Sequence, residues 1–329
     1  AIIEKNHQSL FIEELNDFIN KVRIFGFHFA TLDIRQDSRV HHKAFTQIIT
    51  DLLTTGDTTF PKNYHSLSEE AQIEILSLVK GNIDPSILSD EMSVSTIESI
   101  YALKTIQQRN GERGANRYII SNNQSALNVM QTFAMLNLCG FENELPVDII
   151  PLFETVDDLE NASNVMQILY SNQAYRYHLT KRKNKQTVML GFSDGTKDGG
   201  YLMANWGIFK AKEALTRISR EFNVEVIFFD GRGGPPARGG GKTHQFYASL
   251  GPTIEDKEIQ LTIQGQTISS NFGTEESSQF NLEQLLSSGI KNEMFTKDQL
   301  NSHHRELIED MALTSYKTYI DFKNHPQFL

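Results

Sequence analysis

The sequence predicts an α/β fold of the TIM-type (β/α)8 barrel class, incomplete, with about six of the eight strand–helix units and many additional helices. Short apolar runs alternate with longer segments of helical spacing, which is typical of parallel strands connected by helices. Most of the runs are apolar throughout, as in a sheet covered on both faces. Polar residues end these strands, where such barrels carry their chemistry. These strand-end residues are Arg35, Ser121, Glu154, Asp194, Asp230 and Gln264.

Each element is predicted from its own pattern, within one domain over residues 1–329. The predicted strands are residues 27–35, 117–121, 147–154, 187–194, 224–229 and 259–266. The main predicted helices are 7–22, 38–53, 66–79, 94–108, 124–138, 199–221, 281–289 and 297–321, with others starting at 156 and 243. A doubly wound open sheet is the alternative, but it would use one crevice rather than polar ends on every strand.

Six units are two short of a closed barrel, and the chain begins at Ala1 without Met. We therefore expect N-terminal and C-terminal parts of a longer parent protein to be missing from this sequence. An open barrel would also expose two strand edges.

Composition limits the classes of function. The chain has 329 residues, 39% of them hydrophobic, and a net charge of −10, which argues against a general nucleic-acid surface. No apolar run reaches the length of a membrane span and no signal peptide opens the sequence, so we expect a cytoplasmic protein. Cys139 is the one cysteine, which excludes an intramolecular disulfide, and its apolar neighbours indicate a buried structural thiol.

A glycine-rich segment follows the strand at 224–229. Six glycines, two arginines and one lysine lie between Gly231 and Thr243. Such a density of glycine favours a backbone folded closely around an anion. A nucleotide-binding P-loop is excluded because Pro236 stands where that motif requires glycine. RNA-binding RGG tracts occur in basic disordered chains, and a merely flexible loop does not explain two arginines six residues apart.

Two carboxylates, Glu154 and Asp194, end consecutive predicted strands. Neighbouring strands lie about 4.8 Å apart, so both side chains can reach one cation. Mg²⁺ is commonly held by two carboxylates, with water and substrate in the other positions. Each carboxylate could instead cap the following helix or pair with an arginine, and spacing alone leaves both interpretations open.

Lys197 and Arg35 are candidate cations for the same site. Lys197 lies in a second glycine-bearing segment, 191–200, and could contact a phosphate or enolate oxygen, or could be a solvated surface lysine. The acidic spacing there does not fit an EF-hand. Arg35 alternates with Asp33 and Asp37, so it could bind an anion or be ion-paired. Two adjacent histidine pairs, His41–His42 and His303–His304, are predicted to be surface residues.

Taken together, these motifs make the chain resemble phosphoenolpyruvate carboxylase over nearly its whole length. The motifs that carry the resemblance are LDIRQDS at 32–38, PLFET at 151–155, VMLGFSDGTKDGG at 188–200, FDGRGGPPARGGGKTH at 229–244 and LTIQGQTISSNFG at 261–273. The resemblance implies a barrel enzyme that carboxylates phosphoenolpyruvate with bicarbonate, giving oxaloacetate and phosphate. It also implies a Mg²⁺ or Mn²⁺ cofactor, a homo-oligomeric (tetrameric) parent enzyme and no nucleic-acid or membrane partner.

The resemblance further assigns roles to individual residues. Glu154 and Asp194 match the metal ligands, and Arg35 and Arg232 match arginines that hold the substrate phosphate. Lys197 matches a substrate-binding and catalytic lysine near bicarbonate and the enolate. Arg232 and Arg238 are implied to be catalytic, and Arg238 to contact an acidic feedback inhibitor where one is used. The glycine-rich loop is formed by Gly231, Gly233, Gly234, Gly239, Gly240 and Gly241.

The sequence departs from the family pattern in four places. An HPTE-type motif with the family's catalytic histidine is absent, and the family's C-terminal arginine lies beyond Leu329. Asp230 replaces the usual histidine before Gly-Arg-Gly-Gly, and Pro235-Pro236-Ala237 replaces a small or β-branched pair followed by glycine, which we expect to stiffen the loop. We therefore expect the chain by itself to be inactive. The alternatives are a non-catalytic phosphate- and metal-binding homologue, or another barrel enzyme that uses phosphoenolpyruvate or pyruvate.

Overall fold

The computed structural model describes residues 2–141, 144–233, 242–294 and 300–328, and shows an α/β fold built on one parallel sheet. Its strands are β1 (Asp33–Asp37), β2 (Arg117–Ser121), β3 (Asp148–Phe153), β4 (Lys185–Leu190), β5 (Glu225–Gly233) and β6 (Ile259–Ile263). They pair in chain order, each parallel to the next. The six predicted strand–helix units are therefore confirmed.

Helices connect and cover the strands. They are α1 (Ile2–Asn6), α2 (Ile12–Phe25), α3 (Ser38–Thr54), α4 (Glu69–Leu78), α5 (Glu91–Asn110), α6 (Ala126–Leu138), α7 (Val156–Ser171), α8 (Gln173–Lys181), α9 (Phe192–Gly199), α10 (Tyr201–Glu221), α11 (Thr243–Ser249), α12 (Gly265–Phe272), α13 (Glu275–Met294) and α14 (Ser302–Lys323). Within the described ranges, no helix has both the length and the apolar character that crossing a membrane requires.

The sheet curls, so that side chains from distant strands meet on its concave face. The Arg35 guanidinium on β1 lies 3.3 Å from the Met189 sulfur on β4, and Arg117 on β2 donates to Gln260 on β6 at 3.3 Å. A flat sheet would keep β2 and β6 four strand spacings apart, at ~19 Å. The sheet therefore forms a half-barrel, with which a TIM-type barrel is consistent.

Both faces of the half-barrel are packed. A small cluster fills the concave face, made of Ile119, Ile150, Leu152, Met189 and Phe229. The much larger core lies between the convex face and the helices, where Ile149, Val188 and Phe228 of the strands contact it. Burial on both faces is why the strands are apolar throughout rather than alternating with polar residues.

Some element boundaries differ from the prediction. Residues 27–32 are not a strand, and Phe27 is exposed, because β1 begins only at Asp33. Strand β4 ends at Leu190, so Asp194 lies inside helix α9 and does not end a strand. The polar segment after β6 forms a further helix, α12, whose first turn closes where the Ile268 N–H donates to the Gln264 carbonyl oxygen at 3.0 Å.

The prediction that both members of the first histidine pair lie at the surface is wrong. His41 is fully buried, with ring nitrogens 2.8 Å from the Tyr118 hydroxyl and 3.2 Å from the Thr132 hydroxyl. Adjacent helical residues point in different directions, so His42 is exposed while His41 faces the core. The prediction is confirmed for His303–His304, which are exposed, and Cys139 is buried as predicted.

Burial of His41 makes stability depend on pH. Desolvation lowers the pKa of His41 to about 4, whereas the unfolded side chain titrates near its ordinary value. The unfolded state therefore binds more protons as the pH falls below the ordinary pKa of histidine. Acidification from about pH 7.5 to about pH 5 should remove about 2 kcal/mol of folding free energy through this one residue.

This dependence can be measured by thermal unfolding over that pH range. His41→Gln should flatten the decrease in melting temperature toward low pH, because the amide does not titrate. His42→Gln, on the same helix turn but exposed, is the matched control and should retain the slope of the wild-type protein. An unchanged slope in His41→Gln would show that another group carries the proton uptake.

Candidate active site

The site is centred on Glu154, which follows β3 at the carboxyl edge of the sheet. Its Oε2 accepts a hydrogen bond from the backbone N–H of Asn122 at 2.7 Å. Asn122 has a φ of 52°, in the left-handed region that asparagine tolerates better than most residues. The turn after β2 therefore directs a peptide N–H at the carboxylate and fixes its orientation.

Two glycines bring helix α9 directly against Glu154. A Cβ added at Gly191 would lie 3.1 Å from Glu154 Cγ, and one at Gly195 would lie 3.2 Å from the Glu154 carbonyl oxygen. Both contacts are tighter than ordinary side-chain packing, so larger residues would push α9 away. Asp194 lies between these glycines in the first turn of α9. The structure thus brings the two predicted carboxylates together, although by a helix turn rather than by two strand ends.

The groups around Glu154 shift its pKa in opposite directions. Burial raises the pKa of Glu154 above its ordinary range, and the nearby carboxylates of Asp194 and Asp158 raise it further. The Asn122 N–H and the Arg35 guanidinium act in the opposite direction. A half-buried carboxylate next to another carboxylate is a position where a cation would be stabilised.

The donor set fits Mg²⁺ or Mn²⁺ held by few protein ligands. Glu154 and Asp194 offer two carboxylates, and the described residues contain no cluster of three or more metal-binding side chains. Mg²⁺ usually keeps several waters and needs only one or two carboxylates. Lys197 Nζ donates to Asp194 Oδ1 at 2.8 Å, but this pair is largely exposed. Such surface pairs contribute at most about 1 kcal/mol, so a metal can compete for Asp194.

Arg35 lies exposed on β1 and is not held by the carboxylates that flank it in sequence. Asp33 pairs with Arg117 at 2.6 Å, and Asp37 pairs with Arg39 at 2.7 Å. The hydrogen bond found for Arg35 is to the neutral Met189 sulfur. This arrangement favours anion binding by Arg35 over the ion-paired alternative.

The glycine-rich segment is described only at its two ends. Gly231 packs against β4, because a Cβ there would lie 3.1 Å from the Leu190 carbonyl oxygen. Arg232 and Gly233 continue the backbone of β5, and the Arg232 side chain is outside what the structure describes. Gly234, Arg238, Gly239, Gly240 and Gly241 also lie outside the described residues.

Sequence reasoning missed one feature beside the site, the buried pair of Lys212 and Asp230. Lys212 is 1% exposed and its Nζ lies 2.7 Å from Asp230 Oδ2. A signal was present, because Lys212 falls at helical spacing between the apolar residues Ile208 and Leu215 of α10. A charged residue on a buried helix face requires a charged partner, and Asp230 ends an apolar strand.

The fold and site define a parallel α/β half-barrel with a carboxylate pair and the arginine Arg35 at the carboxyl edge of its sheet. The family model described as "Phosphoenolpyruvate carboxylase" matches residues 1–329, so the chain belongs to the phosphoenolpyruvate carboxylase family. The chain is 33% identical over 331 residues to the phosphoenolpyruvate carboxylase of Nitrosomonas eutropha, covering 96% of this chain and 35% of that protein. It is 33% identical over 323 residues to the phosphoenolpyruvate carboxylase of Nitrosomonas europaea, covering 93% of this chain and 34% of that protein. The chain thus spans about a third of the length of these relatives.

The carboxylate pair can be tested by metal binding without measuring turnover. Glu154→Gln and Asp194→Asn should each weaken Mn²⁺ binding at least about tenfold in calorimetry, because each removes one anionic ligand. Asp157→Asn removes an exposed carboxylate in the first turn of α7 and is the matched control for net charge. Equal Mn²⁺ affinity in Asp157→Asn and the two site variants would exclude a specific site here.

Proposed function

We propose that the protein to which this chain belongs carboxylates phosphoenolpyruvate with bicarbonate, giving oxaloacetate and phosphate, with Mg²⁺ or Mn²⁺ as cofactor. The observation that carries the proposal is the juxtaposition of Glu154, Asp194 and Arg35 at one edge of the parallel sheet. Family membership and the names of the relatives favour this reaction over that of another barrel enzyme using phosphoenolpyruvate or pyruvate.

The proposed reaction balances in two stages. A bicarbonate oxygen attacks phosphorus and the bond from phosphorus to the enol oxygen breaks, which gives carboxyphosphate and the enolate of pyruvate. Carboxyphosphate then breaks into CO₂ and phosphate, which takes up the proton that bicarbonate carried, and the electron pair of the enolate carbon forms the new bond to CO₂, giving oxaloacetate. Phosphoryl transfer needs positive charge around the transferred group, and the enolate needs a stabilised oxygen.

The residues of this chain supply the fixed charges for both stages. Arg35 and Arg232 bind the phosphoryl oxygens, which places the phosphorus for attack. Glu154 and Asp194 hold the divalent metal, which when bound supplies a Lewis acid for the enolate oxygen. Lys197, whose exposed ammonium pairs with Asp194, is the residue that would turn toward bicarbonate and the enolate. Arg238 adds catalytic charge and contacts an acidic feedback inhibitor where one is used.

The other implications of the resemblance concern the whole protein. A cytoplasmic location and a tetrameric parent enzyme stay predictions, as does the binding of an acidic inhibitor at Arg238. The replacement of the family's histidine by Asp230 means that no role of that histidine is assigned to this chain. Asp230 is fully buried, so it has no open face toward a substrate in the described structure.

Arg35 provides the first test of substrate binding. In the whole gene product, Arg35→Met should raise the KM for phosphoenolpyruvate at least about tenfold, because a charge-assisted contact to the phosphate is lost. Oxaloacetate formation is followed by its reduction in a coupled assay. Arg217→Met, which removes an arginine paired with Glu221 on the exposed face of α10, is the matched control and should leave the KM unchanged.

The same assay separates an enzyme from a non-catalytic homologue. If the wild-type gene product binds Mn²⁺ and phosphoenolpyruvate but forms no oxaloacetate, the catalytic proposal is wrong. A KM unaffected by Arg35→Met in an active enzyme would instead remove Arg35 from the phosphate site.

We also expect residues 1–329, produced by themselves, to form no oxaloacetate. Strands β1 and β6 each have one unpaired edge among the described strands, and no HPTE-type histidine motif occurs in the sequence. The coupled assay on this polypeptide, with the whole gene product as the positive control, measures the difference. Turnover by the polypeptide would show that the described half-barrel contains a complete site.

A further inference from the structure

Strand β5 carries a buried ion pair next to the glycine-rich segment. Lys212 Nζ on α10 donates to Asp230 Oδ2 at 2.7 Å, and the two side chains are 1% and 0% exposed. The Tyr247 hydroxyl on α11 donates to the same Asp230 oxygen, also at 2.7 Å. One carboxylate oxygen therefore joins the helix before β5 to the helix that follows the glycine-rich segment.

Aromatic rings extend this cluster toward the metal-binding helix. The Lys212 ammonium lies 4.9 Å from the ring centre of Phe228 and 5.1 Å from that of Phe246. Phe246 in turn packs edge-on against Phe192, with ring centres 5.7 Å apart. Phe192 is the first residue of α9, the helix with the second carboxylate of the site. The ion pair and the carboxylate pair are thus connected by continuous packing.

Stability alone does not account for a buried pair of this kind. Removing two charges from water costs several kcal/mol per ion, and apolar residues of similar size often stabilise such sites equally well or better. The second Asp230 oxygen is buried and makes no hydrogen bond within the described structure, which adds to the cost.

The Asp230–Lys212 pair lies where the chain leaves β5 and enters the glycine-rich segment. Gly231 directly follows Asp230 and is pressed against β4, so little freedom remains between Asp230 and the next residues. Arg232 comes two residues after Asp230, and the pairing of β5 with β6 changes register between Asp230 and Gly233. The direction in which the chain leaves β5 is therefore set where the Asp230 side chain is held.

We propose that Asp230 is a positioning residue that acts through Arg232. By binding Lys212 and Tyr247 with one oxygen, it fixes both ends of the glycine-rich segment and so determines where Arg232 enters the phosphate site. Asp230 itself does not touch the substrate. This inference rests on the proposed function, since it takes Arg232 as a ligand of the substrate phosphate.

The test removes both charges together in the whole gene product, because removing one would leave the other buried and unpaired. The double variant Asp230→Asn/Lys212→Gln keeps hydrogen-bonding side chains of similar size. The KM for phosphoenolpyruvate should rise at least about tenfold while kcat changes less than about threefold and the KM for bicarbonate is retained. The matched control is Lys210→Gln/Glu309→Gln, which removes another ion pair of α10 and should leave all three constants unchanged.

Coupling to Arg232 distinguishes positioning from a general loss of structure. In an Arg232→Ala background, neutralising the Asp230–Lys212 pair should add less than about twofold to the KM, because the residue that it positions is already absent. Full additivity of the two effects would overturn the inference. So would a double variant that unfolds at a lower temperature while its KM stays that of the wild-type protein.

A second measurement does not depend on catalysis. Hydrogen–deuterium exchange should become faster in Glu225–Gly233 and Thr243–Ser249 of the Asp230→Asn/Lys212→Gln variant, and unchanged in the Lys210→Gln/Glu309→Gln control. If the wild-type protein forms no oxaloacetate, the proposed function is wrong. The exchange result still decides whether the Asp230–Lys212 pair holds both ends of the glycine-rich segment. Exchange that is unchanged, or faster across the whole chain, would contradict the inference.

Discussion

The curvature of the parallel sheet is the constraint on which the site depends. It brings Arg35 of β1 to within 3.3 Å of Met189 on β4, although two strands lie between them. The concave face is filled by a few large side chains, so the curvature is held by packing and not by the strands' hydrogen bonds alone. The carboxyl ends of the strands therefore converge, and residues far apart in sequence act on the same electrostatic environment.

In this curved sheet, the close approach of α9 determines the burial and the pKa of the Glu154 carboxylate. Gly191 allows the backbone at the start of α9 to pack against the aliphatic part of the Glu154 side chain, and Gly195 allows it to pack against the Glu154 carbonyl oxygen. The same approach places Asp194 nearby, so two negative charges share a half-buried position. Either change, desolvation or a like charge, disfavours the ionised form, and a divalent cation relieves both at once. The glycines would thus shape the proposed metal site without being ligands.

The sequence predicted the parallel strands and their order well, because burial on both faces leaves continuous apolar runs. It also predicted that Glu154, Asp194 and Arg35 lie near one another, since the carboxyl ends of parallel strands share one edge of the sheet. It placed Asp194 at a strand end and His41 at the surface, and both were wrong. Helix α9 starts directly after Gly191, and a two-residue local pattern does not reveal which of two adjacent histidines faces the core. The helical spacing of Lys212 among apolar residues indicates a buried charge, but its partner Asp230 is 18 positions away on another element, so the pairing itself is seen in the tertiary structure.

The cations of this acidic chain differ in burial and in the partners that hold them. Arg117, Arg182 and Lys212 each bind a carboxylate within 2.7 Å and are at least three-quarters buried. Arg35 donates a hydrogen bond to the neutral Met189 sulfur, and Lys197 forms an exposed pair with Asp194. An anionic substrate gains little from cations that already have buried partners, whereas exposed cations with weak partners can turn to it at small cost. With a net charge of −10 the whole chain repels anions, but that repulsion is screened beyond about 8–10 Å at physiological salt. Attraction of an anion to this edge must therefore come from cations close to it, such as Arg35.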